Sequence, residues 1–278
     1  MKRIDFLGAP GVGKSTIYHE LVRQRTKLDT WMTPEEARTK TKCEYSLQNA
    51  RSVKEHAVAG LLKNGVCIKL LPSFSKRMLE TILDTYQFDK YERETIWVEK
   101  ERYADFFNVA LKSATIEEKE PLRRLMGITH FYSVARDVIF LEHSSFPGLV
   151  LFDESLSLRV YGITRSRKGF FESATEDYFN NIPLPAGLIY CSLDPEKTFQ
   201  RIKQRSLPMP GQHGKIIPGH RDLESAPLLE SIEVQLDKAA IGADVLRNRG
   251  VKVLDIDMKD SLTYNVNVIA NALRGRFE

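Results

Sequence analysis

Residues 8–15, "GAPGVGKS", set two glycines five positions apart and follow the second directly with a lysine and a hydroxyl residue. This is the spacing G-x-x-x-x-G-K-[ST]. A glycine-rich backbone of this kind turns successive N–H groups inward onto phosphate oxygens, and a helix starting behind it adds a dipole that favours anions. Gly8, Gly11, Val12 and Gly13 would form the cradle, and Lys14 would place a point charge on the β and γ phosphates. Ser15 would offer its hydroxyl to Mg²⁺, with Thr16 continuing the first helical turn. The chemistry predicted is the capture of ATP, or another nucleoside triphosphate, together with Mg²⁺.

Acidic residues at the ends of apolar runs supply the other half of a reactive site. "GLVLFDES" ends in Asp153 and Glu154, "AGLIYCSLD" ends near Asp194, and "GVKVLDID" ends at Asp257. Such runs, bounded by turn residues and separated by amphipathic stretches, predict strands alternating with helices and therefore a parallel sheet covered on both faces. "RIDFL" before the glycine-rich stretch and "STIYHELV" after it give that loop its strand and its helix. Residues 28–32 predict a second, short strand that turns at Pro34 toward Glu35 and Glu36. In an open α/β sheet the carboxyl edge is where ligands bind, so these acids would face the cleft.

The fold class expected is α/β, a three-layer P-loop NTPase fold with a central parallel sheet and a large helical insertion. Residues 1–278 are expected to form one continuous unit, because no repeat, low-complexity tract or long linker interrupts them. The insertion is placed at about 44–143, where "SKRMLETILDTYQF", "ETIWVEKERYADFFNVAL" and "HFYSVARDVIFLEH" repeat apolar residues at three and four. It is expected to build the acceptor side of the cleft.

Composition bounds the function without choosing it. Charged residues make up 28% and hydrophobic ones 42%, and a net charge of +4 permits an anionic partner without demanding one. Cys43, Cys67 and Cys191 lie far apart with no paired spacing, which argues against a zinc site or a disulfide framework and fits a reducing compartment. No apolar run approaches the ~20 residues of a membrane span, so a cytoplasmic protein with no membrane partner is expected.

The glycine-rich loop, the segment "DESLSLRVY" and the later "DPEKTFQRIKQR" together resemble the deoxynucleoside kinase and thymidylate kinase branch of the P-loop kinases. The resemblance implies that Asp153 helps hold Mg²⁺ beside Ser15, that Arg201 packs on the adenine ring, and that Arg205 reaches the transferring phosphates. It also implies a lid at about 196–225, a catalytic role for Lys14, and a base at the end of the second strand, where Glu35 or Glu36 stands. Asp153 is the alternative base. A helix-start role for the "PEEAR" acids competes with the catalytic one.

Two departures point away from a nucleoside monophosphate acceptor. Glu154 stands where this family usually has an arginine, and Leu207 stands where a second lid arginine often follows the first. The acceptor expected is therefore a neutral hydroxyl on a nucleoside-like small molecule, with Glu154, Arg159 and Arg221 as its contacts or those of the phosphates. Lys215 is an alternative phosphate contact to Arg221, within the Pro- and Gly-rich segment 204–225 that also carries His213 and His220. In "LRVYGITRSRKGFF", Arg159, Arg165, Arg167 and Lys168 interleave with Tyr161 and Phe170, a pattern that a nucleic-acid groove or a solvated helix end would both use. A hydroxyl on a polynucleotide, such as a hydroxymethylated base in DNA, is the second acceptor to test. A regulatory NTPase with no small acceptor is the third reading.

Overall fold

Strand β1 (Lys2–Leu7) shows how the chain builds its sheet: Ile4 and Phe6 point to one face while Arg3, Asp5 and Leu7 point to the other, and five of its six residues are buried. Burial of both faces is what a parallel sheet covered by helices requires. The computed structural model describes residues 1–26, 29–49, 85–117, 121–144, 148–164, 171–206, 225–275 and 277. Among these, β2 (Leu149–Phe152), β3 (Gly187–Ser192) and β4 (Lys252–Asp257) complete an all-parallel sheet in the order β2-β1-β3-β4. All three lie where the apolar runs place them.

Ten helices are described. They are α1 (Lys14–Gln24), α2 (Pro34–Asn49), α3 (Thr85–Val98), α4 (Ala104–Glu117), α5 (Pro121–His143), α6 (Leu156–Ile163), α7 (Phe171–Asn181), α8 (Pro195–Ser206), α9 (Ser225–Asn248) and α10 (Leu262–Gly275). Ile17 and Leu21 of α1 and Val266, Ile269 and Leu273 of α10 pack on Ile4, Phe6, Leu151 and Ile189, forming one layer against the sheet. On the opposite face, Leu7, Val150, Phe152 and Leu188 meet α5, α6, α7 and α9 through residues such as Phe140, Val160, Phe179 and Leu246. The molecule is thus an α/β structure with helices on both sides of a four-stranded sheet. No helix among the described residues is long and apolar enough to cross a membrane.

The expected second strand shrinks to one bridge, Met32 pairing in parallel with Val150 on the outer side of β2. Two local constraints shorten it. Asp29, inside the expected strand, accepts hydrogen bonds from the Thr26 backbone N–H and hydroxyl, and α2 begins at Pro34, just after it. Only the bridge, with Met32 N–H donating to Leu149 and Met32 O accepting from Leu151, survives between them.

The run "ETIWVEKERYADFFNVAL" reads as one helix but breaks at 99–103 into α3 and α4. The break is docked on the end of α5: the Tyr103 hydroxyl donates to Glu142 Oε2 at 2.6 Å, and Glu99 Oε1 lies 2.8 Å from His143 Nδ1. Periodicity continues across the turn because both helices bury the same kind of apolar stripe.

Beneath the second layer lies a buried polar cluster. Arg3, 1% exposed, places Nε 3.1 Å from Asp5 Oδ1 and donates through NH1 to Glu142 Oε1 at 2.7 Å and through NH2 to the Pro183 carbonyl. Ser157 Oγ donates to Asp5 Oδ2 at 2.7 Å. Burial pushes the Asp5 carboxyl above its usual range, with the Arg3 charge and the Ser157 hydrogen bond opposing. The cluster joins β1, the end of α5 and the first turn of α6, which are three of the segments around the cleft.

Candidate functional site

The carboxyl end of β1 runs into the loop 8–13 at the place where strand order changes direction, since β2 and β3 flank β1 on opposite sides. That is the position at which open α/β sheets bind ligands. Gly8 lies so close to β3 that a Cβ there would stand 2.4 Å from the Cys191 carbonyl oxygen. Gly13 caps α1 at φ +111°, and a Cβ would meet the Met258 methyl at 2.9 Å. Only glycine satisfies both the conformation and the space.

Lys14 is buried and folds back over the loop, donating from Nζ to the carbonyls of Gly8 at 2.5 Å and Ala9 at 3.0 Å. Ser15 and Thr16 are exposed at the first turn of α1. Ser15 Oγ lies 3.5 Å from Asp153 Oδ1, so the loop after β1 and the acid after β2 meet. Burial, then the charge of Glu154, raises the Asp153 carboxyl above its usual range, and Lys14 and His19 pull it down.

A cavity of about 390 Å³ opens beside the loop. Gly11, Gly13, Lys14 and Ser15 form one wall with Asp153, and Glu154, Arg159 and Tyr161 form the next. The helical segment between the first two strands contributes Gly127 and His130 of α5 to the lining. Neither residue was named from the sequence. Arg159, largely buried, pairs with the exposed carboxylate of Glu154, so the two charges offset one another at the cavity edge. His130 is exposed at the cavity edge; partial desolvation, then the Arg159 charge, hold its imidazole below the usual value, with Glu154 opposing. Burial pushes the Tyr161 hydroxyl well up, and the Gly8 backbone N–H lies near enough to counter part of that shift.

Arg201 lies outside this cavity wall. Its NH1 donates to the Val12 carbonyl at 2.5 Å and its NH2 to the Met258 carbonyl at 3.1 Å, tying the loop to the end of β4. Arg205 belongs to α8, with its side chain outside the described residues. Arg221, Lys215, His213, His220, Leu207, Arg165, Arg167, Lys168, Phe170 and Cys67 also lie outside the described residues, as does the side chain of Cys43. Cys191 is buried, and its thiol is pushed up to about 12, which leaves it chemically quiet.

Glu35 and Glu36 occupy different environments at the start of α2. Thr33 precedes Pro34 as the cap: its hydroxyl accepts from the Glu36 N–H at 3.2 Å, while Glu36 Oε2 accepts from the Thr33 N–H at 2.9 Å. This reciprocal pair is a capping box, with proline at the first helical position. Arg25 also grips both oxygens of Glu36. Those hydrogen bonds hold the Glu36 carboxyl below its usual range. Glu35 is exposed one residue earlier and lines no part of the cavity. Both acids nonetheless act, with Asp153, on the buried Tyr18 phenol, which burial and these charges raise to about 12.

His130 and Tyr161 were not singled out as cavity-wall residues by sequence. His130 sits inside a run whose three-and-four spacing announces core packing, and its place on the cavity depends on the packing of α5 against α6. The donors available near the loop, one hydroxyl and one carboxylate, form no group of three or more His, Cys, Asp or Glu among the described residues. Such a sparse oxygen set suits a cation that keeps its waters and shares ligands with phosphates. No family model matches the chain, and no curated protein matches it in sequence.

Proposed function

We propose that this chain is an ATP-dependent phosphotransferase that moves the γ-phosphate to a hydroxyl of a nucleoside-like small molecule. The observation that carries this reading is one cavity lined by Lys14, Ser15 and Asp153 together with Glu154, Arg159 and His130. A donor cradle and an acceptor wall on the same cavity are what group transfer needs, because phosphoryl transfer is mostly positioning and charge neutralisation.

Lys14 now holds two carbonyl oxygens, and a triphosphate's oxygens would replace them as its partners. Ser15 and Asp153 would hold Mg²⁺, which supplies charge neutralisation on the phosphates. Arg201 keeps the loop in register with the end of β4. The offset charges of Glu154 and Arg159 leave little net attraction for an acceptor phosphate and suit instead a neutral acceptor with hydroxyl or amide groups.

The test is transfer of γ-labelled phosphate from ATP to separate pools of nucleosides, nucleoside monophosphates, sugars and alcohols, and DNA or RNA with and without hydroxymethylated bases. Label in the nucleoside pool supports the reading. Label on polymer alone moves the acceptor to a polynucleotide, and steady hydrolysis without any labelled acceptor makes the chain a regulatory NTPase.

A further inference from the structure

We propose that His130 of α5 is the base that takes the proton from the acceptor hydroxyl. The inference rests on the phosphotransferase reading and adds to it a residue that neither the loop pattern nor the acidic strand ends indicate.

The carboxylates near the cleft are otherwise engaged. Glu36 is held by the capping box and by Arg25, and Glu154 is bound to Arg159. Asp153 sits against Ser15, where it is required beside the donor phosphates, and Glu35 does not reach the cavity wall. His130 lines the same cavity as Lys14, Ser15 and Asp153. Its placement follows from a close helix crossing: a Cβ on Gly127 would stand only 3.7 Å from the Gly162 carbonyl oxygen, so α5 and α6 approach nearly backbone to backbone. Gly127 and His130 are three residues apart, share one helix face and both line the cavity, with the His130 side chain still exposed to solvent.

The charged groups facing the ring are Arg159 and Glu154, with Asp153 and Lys14 across the cavity. On the side of α5 that meets α2 and α3, Arg38 and Glu92 form a cluster with Arg136, six residues further along. Partial desolvation at the cavity edge and the Arg159 charge favour the neutral imidazole, which has a lone pair to offer, and the Glu154 charge favours the imidazolium once formed. In the step, the hydroxyl proton passes to a ring nitrogen as the acceptor oxygen bonds to the γ phosphorus. The bond from that phosphorus to the β–γ bridging oxygen breaks, and its electron pair leaves with the nucleoside diphosphate.

Single-turnover transfer from γ-labelled ATP to deoxynucleosides and to a short duplex containing hydroxymethyluracil, followed from pH 5 to 9, tests this with the full chain. Wild type should lose rate as the pH falls through the imidazole pKa, below about 6.5. His130→Ala should lower turnover about 100-fold, remove that acidic limb, keep its affinity for a fluorescent ATP analogue and regain rate with added imidazole. NMR of histidine-labelled protein should show one ring signal, missing in His130→Ala, that titrates below 6.5 and moves on addition of the acceptor probe. An active wild type with a His130→Ala variant of equal rate and unchanged acidic limb overturns the base alone. Loss of nucleotide affinity in step with turnover, without imidazole rescue, overturns it too. A wild type that labels no probe overturns the phosphotransferase reading, and the base with it.

Discussion

At the scale of single residues, the loop 8–15 depends on chemistry that tolerates no substitute. Lys14→Ala should reduce transfer by 10²–10³-fold or more, by analogy with the loss of one preorganised donor to developing charge, at about 10²–10³-fold. Circular dichroism and a thermal melt should show the fold retained, since the hydrogen bonds from Lys14 to Gly8 and Ala9 lie within its own loop. Gly13→Ala should cost about 1–2 kcal/mol for the left-handed φ, with the Met258 methyl shifting to make room, measurable by urea denaturation and by ATP-analogue affinity. These positions were legible because the pattern is local: eight consecutive residues fix both the turn and the donors. Glu36 was half legible, for the same T-P-E-E string that places acids near the cleft also spells a capping box. His130 was not legible, because helical spacing fixes a face relative to its neighbours and not which other element that face will meet.

At the scale of elements, α2 is set by its first turn. Glu36→Ala removes the reciprocal half of the capping box, and a lost cap costs about 1 kcal/mol. The half-exposed pair with Arg25 adds little more. Because the Glu36 carboxyl is held low in the folded state, its contribution is present above the unfolded value near 4.3 and disappears as the pH falls through the lower folded value. Urea melts of wild type and variant should therefore differ at pH 7 and 5 and converge toward pH 3. Strands β2, β3 and β4 were legible as apolar runs ending in acids. The second strand was overread because its residue types favour extension, while the Asp29 turn and the start of α2 leave room for one bridge. The turn between α3 and α4 was missed for the converse reason, since Tyr103 and Glu99 find partners on α5 that no local pattern announces.

At the scale of the whole molecule, the buried cluster of Arg3, Asp5, Glu142, Tyr103 and Ser157 fastens the helical segment to the strand that carries the loop. Glu142→Ala leaves the Arg3 guanidinium buried with one partner fewer and should cost about 3 kcal/mol, read as a lower urea midpoint. Glu142→Gln, which keeps the shape, should cost less. The cluster was invisible in sequence, because Arg3 and Glu142 stand 139 positions apart and either residue alone reads as surface. That same separation shapes the birth of the protein. Every ladder partner of β1 belongs to β2 or β3, the nearer of which begins at Leu149. At about 5–20 residues per second on the ribosome, the first strand waits roughly ten to thirty seconds with its apolar edge unpaired. Nascent chains that end before β2 should therefore recruit chaperones and fail to retain nucleotide, with both properties reversing once β2 has emerged from the exit tunnel.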